Sequence, residues 1–196
     1  MTALPDPETP SEPRLLTVAE YAALGETEPG YTELQEGHVL MSPSPIPDHN
    51  VASAMLLVQL LPQLPAHLEL IPDIDVDLEL VPPGEPGFSR RPDLVIVDRA
   101  ARSRVRADGG LIRASDVLVA VEIVSPGSRR MDNVTKRGEY ADAGIPHYWI
   151  VDLDEPISLL AGHLTAEFGY RDEPAATGTY VADEPFPVRI ELDQLR

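Results

Sequence analysis

The sequence contains no cysteine, which excludes disulfide bonds and thiolate chemistry. It has no run of about 18 apolar residues, so no membrane-spanning helix and no membrane partner are expected. The first residues lack the basic and then apolar pattern of a signal peptide, which together with the missing cysteines favours a cytoplasmic protein. Residues 1–14 are rich in proline and acids and are expected to form a disordered tail, followed by a single domain over residues 15–196.

Lysine is almost absent: the sequence has one, Lys136, and fourteen arginines. Arginine stays protonated and pairs with carboxylates and phosphates, whereas lysine is a compact ammonium whose pKa can be shifted for catalysis. One interpretation is that Lys136 has a chemical role. The other is that an arginine-rich composition left one lysine by chance on a solvated helix face.

The net charge of −18 is unevenly distributed. Residues 90–137 carry eleven cations and six acids, whereas residues 1–89 carry one cation and fifteen acids. A locally basic surface on an acidic protein can still meet phosphate, although long-range steering is poor. The alternative is that the arginines of residues 90–113 lie on an ordinary solvated hairpin.

Two local signals stand near the N-terminus. Thr17 and Glu20 form a capping-box pattern, which predicts a short helix over residues 18–24. Residues 31–41 predict two short strands with a turn at Gly37.

A second helix is predicted after the proline-rich loop of residues 42–47, with its N-cap near Asp48 or Asn50. Pro62 and Pro65 are expected to end it. Its apolar face is assigned to Val51, Met55, Val58 and the leucines up to Leu61.

Strand patterns dominate the rest of the chain. Residues 68–80 alternate apolar and acidic side chains, which predicts one half-buried strand whose acids face solvent. Residues 92–98 predict a short buried strand, and residues 100–115 a long loop or hairpin extension. Residues 116–124 are almost continuously apolar, which is typical of a central strand covered on both faces. Several short edge strands are expected over residues 157–192.

A strand–helix–strand unit completes the pattern. The helix is predicted from Ser128 or a near neighbour to Ala143, and Gly144 ends it. Residues 148–151 predict the next buried strand. This order of elements predicts a mixed sheet flanked by helices, an α/β architecture of the α+β type.

Two acids, Asp93 and Glu122, interrupt strands that are otherwise apolar. A buried carboxylate is costly unless it is paired or binds a metal. If the two strands are neighbours, both carboxylates project from one end of the sheet. Two carboxylates with water suit a hard cation such as Mg²⁺.

The helix after the central strand carries Asp132, Lys136 and Tyr140 at positions i, i+4 and i+8, which places them on one face. Lys136 would then orient a metal-activated water or stabilise charge on a phosphate. The alternative is that Glu122 and Lys136 form only an ion pair that docks the helix on the sheet. Three apolar neighbours are expected to point toward the core instead: Met131, Val134 and Ala141.

Several separated motifs occur in a fixed order: residues 17–21, residues 31–45, His49, Pro92-Asp93, residues 121–126, Asp132, Lys136, Tyr140 and residues 144–152. This order resembles that of the Uma-two family, restriction-endonuclease-like proteins with a PD-(D/E)XK nuclease core. The resemblance covers about residues 15–195. It is specific because several separated motifs occur in the same order as in the family.

The resemblance implies a restriction-endonuclease-like mixed central β-sheet flanked by helices, with an extra N-terminal hairpin and C-terminal strands. It implies an endonuclease that hydrolyses phosphodiester bonds in DNA with Mg²⁺ or Mn²⁺. Asp93 and Glu122 would be catalytic metal ligands, and Lys136 would be the catalytic lysine. A homodimer is expected by analogy with nuclease-fold proteins.

Further positions match the family pattern with less defined roles. Glu36 would be an additional metal ligand, or it simply forms the hairpin turn. His49 would contact phosphate or a ligand water, or it caps and packs a helix. Asp132 and Tyr140 would support the site, and for Tyr140 packing is expected more than chemistry.

The chain departs from the parent pattern at Val124, which stands two residues after Glu122, where PD-(D/E)XK has lysine. Valine cannot orient water or contact phosphate, and Lys136 matches the lysine that the family places on the following helix. Two other functions stay open. One is a nucleic-acid or protein binding module without turnover. The other is a metal-dependent hydrolase of a small phosphorylated substrate, which the charge of −18 favours over duplex DNA.

Overall fold

The protein is described by a computed structural model that covers residues 14–25, 31–42, 44–124 and 131–196. The tail predicted over residues 1–14 lies outside the described residues except for Arg14. No helix within these ranges is long and apolar enough to cross a membrane.

The described chain contains four α-helices. α1 begins with the predicted capping box, because Thr17 Oγ1 accepts a hydrogen bond from the Glu20 N–H and the Glu20 carboxylate accepts one from the Thr17 N–H. A π-helical turn over Met131–Lys136 runs directly into α4, and the two together are called the helical segment. The helices are α1 Val18–Leu24, α2 Pro47–Leu60, α3 Arg99–Asp108 and α4 Arg137–Asp142, with 3₁₀ turns at Leu61–Gln63, Ala114–Asp116 and Leu192–Gln194.

Fourteen strands form three sheets in the described ranges. They are β1 Thr32–Gln35, β2 His38–Met41, β3 Leu68–Pro72, β4 Val76–Asp77, β5 Ser89–Arg90, β6 Leu94–Asp98, β7 Ile112–Arg113, β8 Val117–Val124, β9 His147–Asp152, β10 Ser158–Thr165, β11 Gly169–Asp172, β12 Ala176–Thr177, β13 Thr179–Ala182 and β14 Val188–Glu191.

The largest sheet has the strand order β11-β10-β9-β8-β6-β3, with β12 also paired to β10. β8 and β9 are parallel and are joined through the helical segment, whereas β6 pairs antiparallel with β8 and β10 antiparallel with β9. β8 is therefore a central strand, as its continuous apolar run predicts. A second sheet has the order β2-β1-β5-β4-β7, and β13 pairs with β14.

Apolar side chains cover both faces of the large sheet. On one face, Leu56 and Leu60 of α2 pack in a cluster with Trp149. On the other, Tyr140 packs in a second cluster with Tyr148. Because Tyr148 and Trp149 are neighbours in β9, they point to opposite faces, and each buried side chain contributes roughly 1.5–3 kcal/mol of hydrophobic stabilisation.

The mixed sheet flanked by helices is confirmed, but the prediction for α2 was wrong in two respects. The helix begins at Pro47, and neither Asp48 nor Asn50 is its N-cap, which is Ile46. The buried face is formed by Ala52, Leu56 and Leu60, whereas three of the residues assigned to the core are exposed: Val51, Val58 and Leu61. Apolar residues occur on all sides of this helix, so the sequence pattern does not determine its phase.

Two further predictions of local structure were wrong. Residues 99–108 form α3 instead of a loop, because Asp98 caps the helix by accepting a hydrogen bond from the Ala100 N–H at 2.7 Å. Residues 68–80 do not form one strand. They divide into β3 and β4 in different sheets, and Asp73 between them has a left-handed φ of 50°.

Candidate functional site

A pocket of about 550 Å³ opens where the two larger sheets meet the helical segment. The antiparallel register of β6 and β8 pairs Leu94 with Val121, which brings Asp93 to the level of Glu122. The predicted site residues that line this pocket are His49, Asp93, Glu122, Asp132 and Lys136.

Asp93 precedes β6 and is held from two sides. Its Oδ2 accepts a hydrogen bond from the Ile123 N–H at 2.6 Å, and its Oδ1 lies 3.0 Å from Nε2 of His49 in the first turn of α2. The hydrogen bond to Asp93 raises the pKa of His49, although burial of the ring opposes this shift. The pocket therefore holds a readily protonated imidazole beside a carboxylate.

Glu122 lies in β8 with 3% of its surface exposed. Its Oε1 accepts hydrogen bonds from the Tyr140 hydroxyl at 2.7 Å and from Lys136 Nζ at 3.0 Å. Burial raises the pKa of Glu122 well above that of an ordinary carboxyl; Lys136 opposes this effect and the nearby acid Asp93 adds to it. A carboxyl in this setting is readily neutralised by a proton or a cation.

Lys136 connects the helical segment to two strands. Its Nζ lies 3.0 Å from Glu122, 3.1 Å from Glu33 and 3.7 Å from Asp132, in each case to a carboxylate oxygen. Burial opposes the positive charge, but the three carboxylates outweigh it and raise the pKa of Lys136. The side chain is therefore an ammonium at neutral pH, and one positive charge faces three acids.

Glu33 belongs to this cluster, although it is not among the site residues predicted from the sequence. Its Oε2 accepts a hydrogen bond at 2.9 Å from Arg90, a wholly buried side chain that also pairs with Glu139 through Nε at 2.5 Å. Burial favours the neutral carboxyl, but Lys136 and Arg90 lower the pKa of Glu33. Its strand reads Thr-Glu-Leu-Gln, so it lacks the apolar run whose interruption marks Glu122.

Glu36 does not line the pocket. It occupies the turn between β1 and β2, is exposed and has a left-handed φ of 50°. Its position is therefore that of the hairpin turn, and Glu33, three residues earlier, is the acid of this segment that reaches the pocket.

Asp132, Lys136 and Tyr140 share one helix face, as predicted, but this face is the buried one. Met131 and Val134 were expected in the core and are 38% and 64% exposed, respectively. The charged cluster needs partners on β1 and β8, and these contacts determine which face turns inward. The helix start predicted near Ser128 lies outside the described residues.

Tyr140 has both a polar and a packing contact. Its hydroxyl donates to Glu122, and its ring meets that of Tyr148 edge-on with centroids 5.2 Å apart. The Tyr148 hydroxyl donates to the Asp132 carbonyl at 2.9 Å. Two buried tyrosines thus fix the helical segment over β8 and β9.

Val124 is buried in the apolar cluster that contains Tyr140, so the position two residues after Glu122 faces the core. Because side chains alternate along a strand, Glu122 and Val124 point to the same face of β8. The ammonium that contacts Glu122 comes from Lys136 on the helical segment instead.

The donor set is suited to a hard divalent cation with few protein ligands. No group of three or more His, Asp or Glu side chains has metal-binding geometry in the described part of the chain. Asp93 and Glu122 line one pocket, and Lys136 and Tyr140 both bind Oε1 of Glu122. Mg²⁺ is commonly held by one or two carboxylates plus water, so these two residues and the surplus negative charge fit such an ion.

Comparisons with known proteins identify a similar family and fold. The family model described as "Uma2: Putative restriction endonuclease" matches residues 18–192. A solved structure described as a "putative nuclease belonging to DUF820", from Anabaena variabilis ATCC 29413, has a TM-score of 0.62 and 19% sequence identity, and the match covers 92% of this chain and 97% of that one. At this identity the structural match shows the fold alone. No curated protein matches the chain.

Replacing Lys136 by methionine is expected to destabilise the metal-free protein by about 3–5 kcal/mol, because buried carboxylates lose their counter-charge. The control is Arg102→Met, which breaks the exposed pair of Arg102 with Glu69 and should cost less than about 1 kcal/mol. Urea unfolding measures both. Equal losses in the two variants would show that the Lys136 cluster contributes no more than a surface pair.

Glu122→Gln is expected to stabilise the metal-free protein at about pH 8 by about 1 kcal/mol. The folded-state pKa of Glu122 is raised, so wild-type stability falls as pH rises from the unfolded pKa through the folded one. Glutamine mimics the neutral carboxyl, so the gain should shrink toward about pH 5. Urea unfolding in EDTA tests this beside Glu69→Gln. A loss of stability in Glu122→Gln at the higher pH would instead identify a purely structural ion pair.

Proposed function

The chain belongs to the Uma2 family, and on this premise we propose that it is a divalent-metal-dependent endonuclease that hydrolyses phosphodiester bonds in DNA. The observation that carries the proposal is the pocket in which Asp93, Glu122 and the buried ammonium of Lys136 meet. A nuclease site needs a place for a metal, a water and a phosphate, and this pocket supplies groups that suit each.

Asp93 and Glu122 are the proposed ligands of Mg²⁺ or Mn²⁺. A bound divalent ion would lower the pKa of a water and stabilise negative charge on the phosphate. Asp93 is oriented by the Ile123 N–H, and Glu122 by the Tyr140 hydroxyl. Glu36 is not included because it lies at the exposed turn.

Lys136 is proposed to orient the attacking water or to stabilise the charge that develops on the phosphate. Its hydrogen bond to Glu122 places the ammonium beside a proposed metal ligand. Lys136 comes from the helical segment, whereas the PD-(D/E)XK pattern has its lysine on the strand, two residues after the acid. Glu33 lies 3.1 Å from the ammonium and is itself held by Arg90. His49, with its raised pKa, is proposed to contact a phosphate oxygen when protonated.

Glu122→Gln is expected to reduce metal-dependent cleavage by at least about a hundred-fold, because it removes a charged ligand from the reaction centre. Plasmid, linear, single-stranded and branched DNA are incubated with Mg²⁺ or Mn²⁺ at low salt, and products are resolved on gels. Since this variant is expected to be folded, lost activity reports chemistry, and Glu69→Gln should retain wild-type activity. Calorimetry with Mn²⁺ measures metal binding in the same proteins.

Unchanged Mn²⁺ affinity in Glu122→Gln would contradict the metal assignment. Binding of DNA without cleavage by the wild type would favour a binding module without turnover. Two features support that function: Val124 stands in place of the strand lysine, and three carboxylates bind Lys136. Turnover restricted to small phosphorylated substrates would favour the third function.

We also propose a homodimer that pairs through β2. This strand lies at the edge of its sheet, and Val39, Leu40 and Met41 are exposed on it, so a second copy can cover apolar surface and unpaired backbone groups. Light scattering is expected to show a dimer that Leu40→Asp converts to a monomer. A wild-type monomer at micromolar concentration would contradict this assembly.

A further inference from the structure

An aromatic ring and a guanidinium stack at the rim of the pocket. The Cζ atom of Arg91 lies 4.6 Å from the ring centroid of Tyr31, and both residues line the pocket that holds Glu122. The guanidinium lies over one face of the ring, and Tyr31 as a whole residue is 43% exposed. Tyr31 is therefore a partly exposed aromatic residue beside the proposed reaction centre.

Two acids bind the Arg91 guanidinium, so it is less available to an incoming phosphate than to the ring of Tyr31. Its Nε donates to Asp73 at 2.7 Å, and its Nη1 to Asp75 at 3.4 Å. Its backbone N–H donates to Glu33 Oε1 at 3.2 Å, the oxygen that lies 3.1 Å from Lys136. Arg91, and with it the stacked ring of Tyr31, is thus linked through Glu33 to Lys136.

The backbone of Tyr31 is also fixed. Its carbonyl accepts a hydrogen bond from the Ser42 N–H at 2.9 Å, across the β1–β2 hairpin. Pro45 and Ile46 line the same pocket, and Ile46 is exposed. The rim therefore combines a supported aromatic face with exposed apolar surface, a combination suited to a flat, uncharged group.

The charge of the pocket indicates which part of a nucleic acid this rim binds. Its described lining residues include five acids against Arg91, Lys136 and, when protonated, His49, so negative charge predominates and disfavours a phosphate backbone in the absence of metal. Affinity for a strand must then come in part from contacts that do not depend on charge. Stacking of a base on an aromatic side chain is such a contact, and bases within a duplex cannot make it.

We propose that Tyr31, backed by Arg91, stacks an unpaired base of the substrate, so that the site takes DNA with at least one unpaired nucleotide next to the reacting phosphate. This inference rests on the proposed function for its reacting phosphate, but the stacking itself requires no cleavage. The ordinary role of the pair would be to cover the start of β1, in which case Tyr31 would be indifferent to bases.

The test is a binding cycle that removes the ring and the base separately. Fluorescence anisotropy in Ca²⁺ measures the affinity for a labelled single strand and for the same strand with abasic sites. The proteins are wild type, Tyr31→Ala, Tyr31→Phe and Phe168→Ala, the last removing an aromatic side chain that is 85% exposed in the β10–β11 turn. Thermal melting verifies that each variant is folded.

Tyr31→Ala is expected to weaken binding of the intact strand about ten-fold, with Tyr31→Phe and Phe168→Ala close to wild type. Base removal should weaken binding to the wild type by a similar factor and add little in Tyr31→Ala. Equal effects of Tyr31→Ala on intact and abasic strands would overturn the proposal. So would an equal loss of affinity for a fully paired duplex.

Cleavage assays separate this inference from the proposed function. A protein that fails to cleave but shows the coupling between Tyr31 and the base supports the stacking site and contradicts the endonuclease. A protein that cleaves duplex DNA equally well with and without Tyr31 supports the endonuclease and overturns the stacking site.

Discussion

The ammonium of Lys136 binds carboxylates from three separate segments: β1, β8 and the π-helical turn. Each of these acids alone would be expensive to bury; Lys136 offsets that cost for all three, and Arg90 gives Glu33 a second counter-charge. The cluster therefore joins three segments into one site, and Asp93 adds a further carboxylate, which leaves a surplus of acids over cations among the described residues that line the pocket. Such a surplus suits a group of carboxylates that must accept a cation.

The parallel pair β8–β9 explains how a helix can deliver this ammonium. A parallel connection requires a crossover, and here the crossover carries Lys136 back over the strand that contains Glu122. The π-helical turn lies in this crossover, a conformation often found at functional sites. A lysine within β8 is thus unnecessary for contact with Glu122, and Val124 is left to the core.

Local chemistry made some elements predictable, namely the capping box at Thr17, the apolar run of β8 and the glycine stop at Gly144. The buried faces of α2 and of the helical segment were predicted wrongly, because the surface against which a helix packs determines which of its sides is buried. Glu33 and Arg90 were missed since they join the site only through packing of the second sheet. Asp93 and Glu122 were accessible to sequence reasoning because each interrupts an apolar strand.

Arg90 links two parts of the chain that are distant in sequence. Its buried guanidinium joins Glu33 in the second sheet to Glu139 in α4. If the β1–β2 hairpin opened alone, both Arg90 and Lys136 would lose a counter-charge while still enclosed by protein. Partial opening is therefore disfavoured relative to opening of the whole unit, so we expect these segments to open together as one cooperative foldon. The geometry around the carboxylates should consequently be kept when the outer hairpins open.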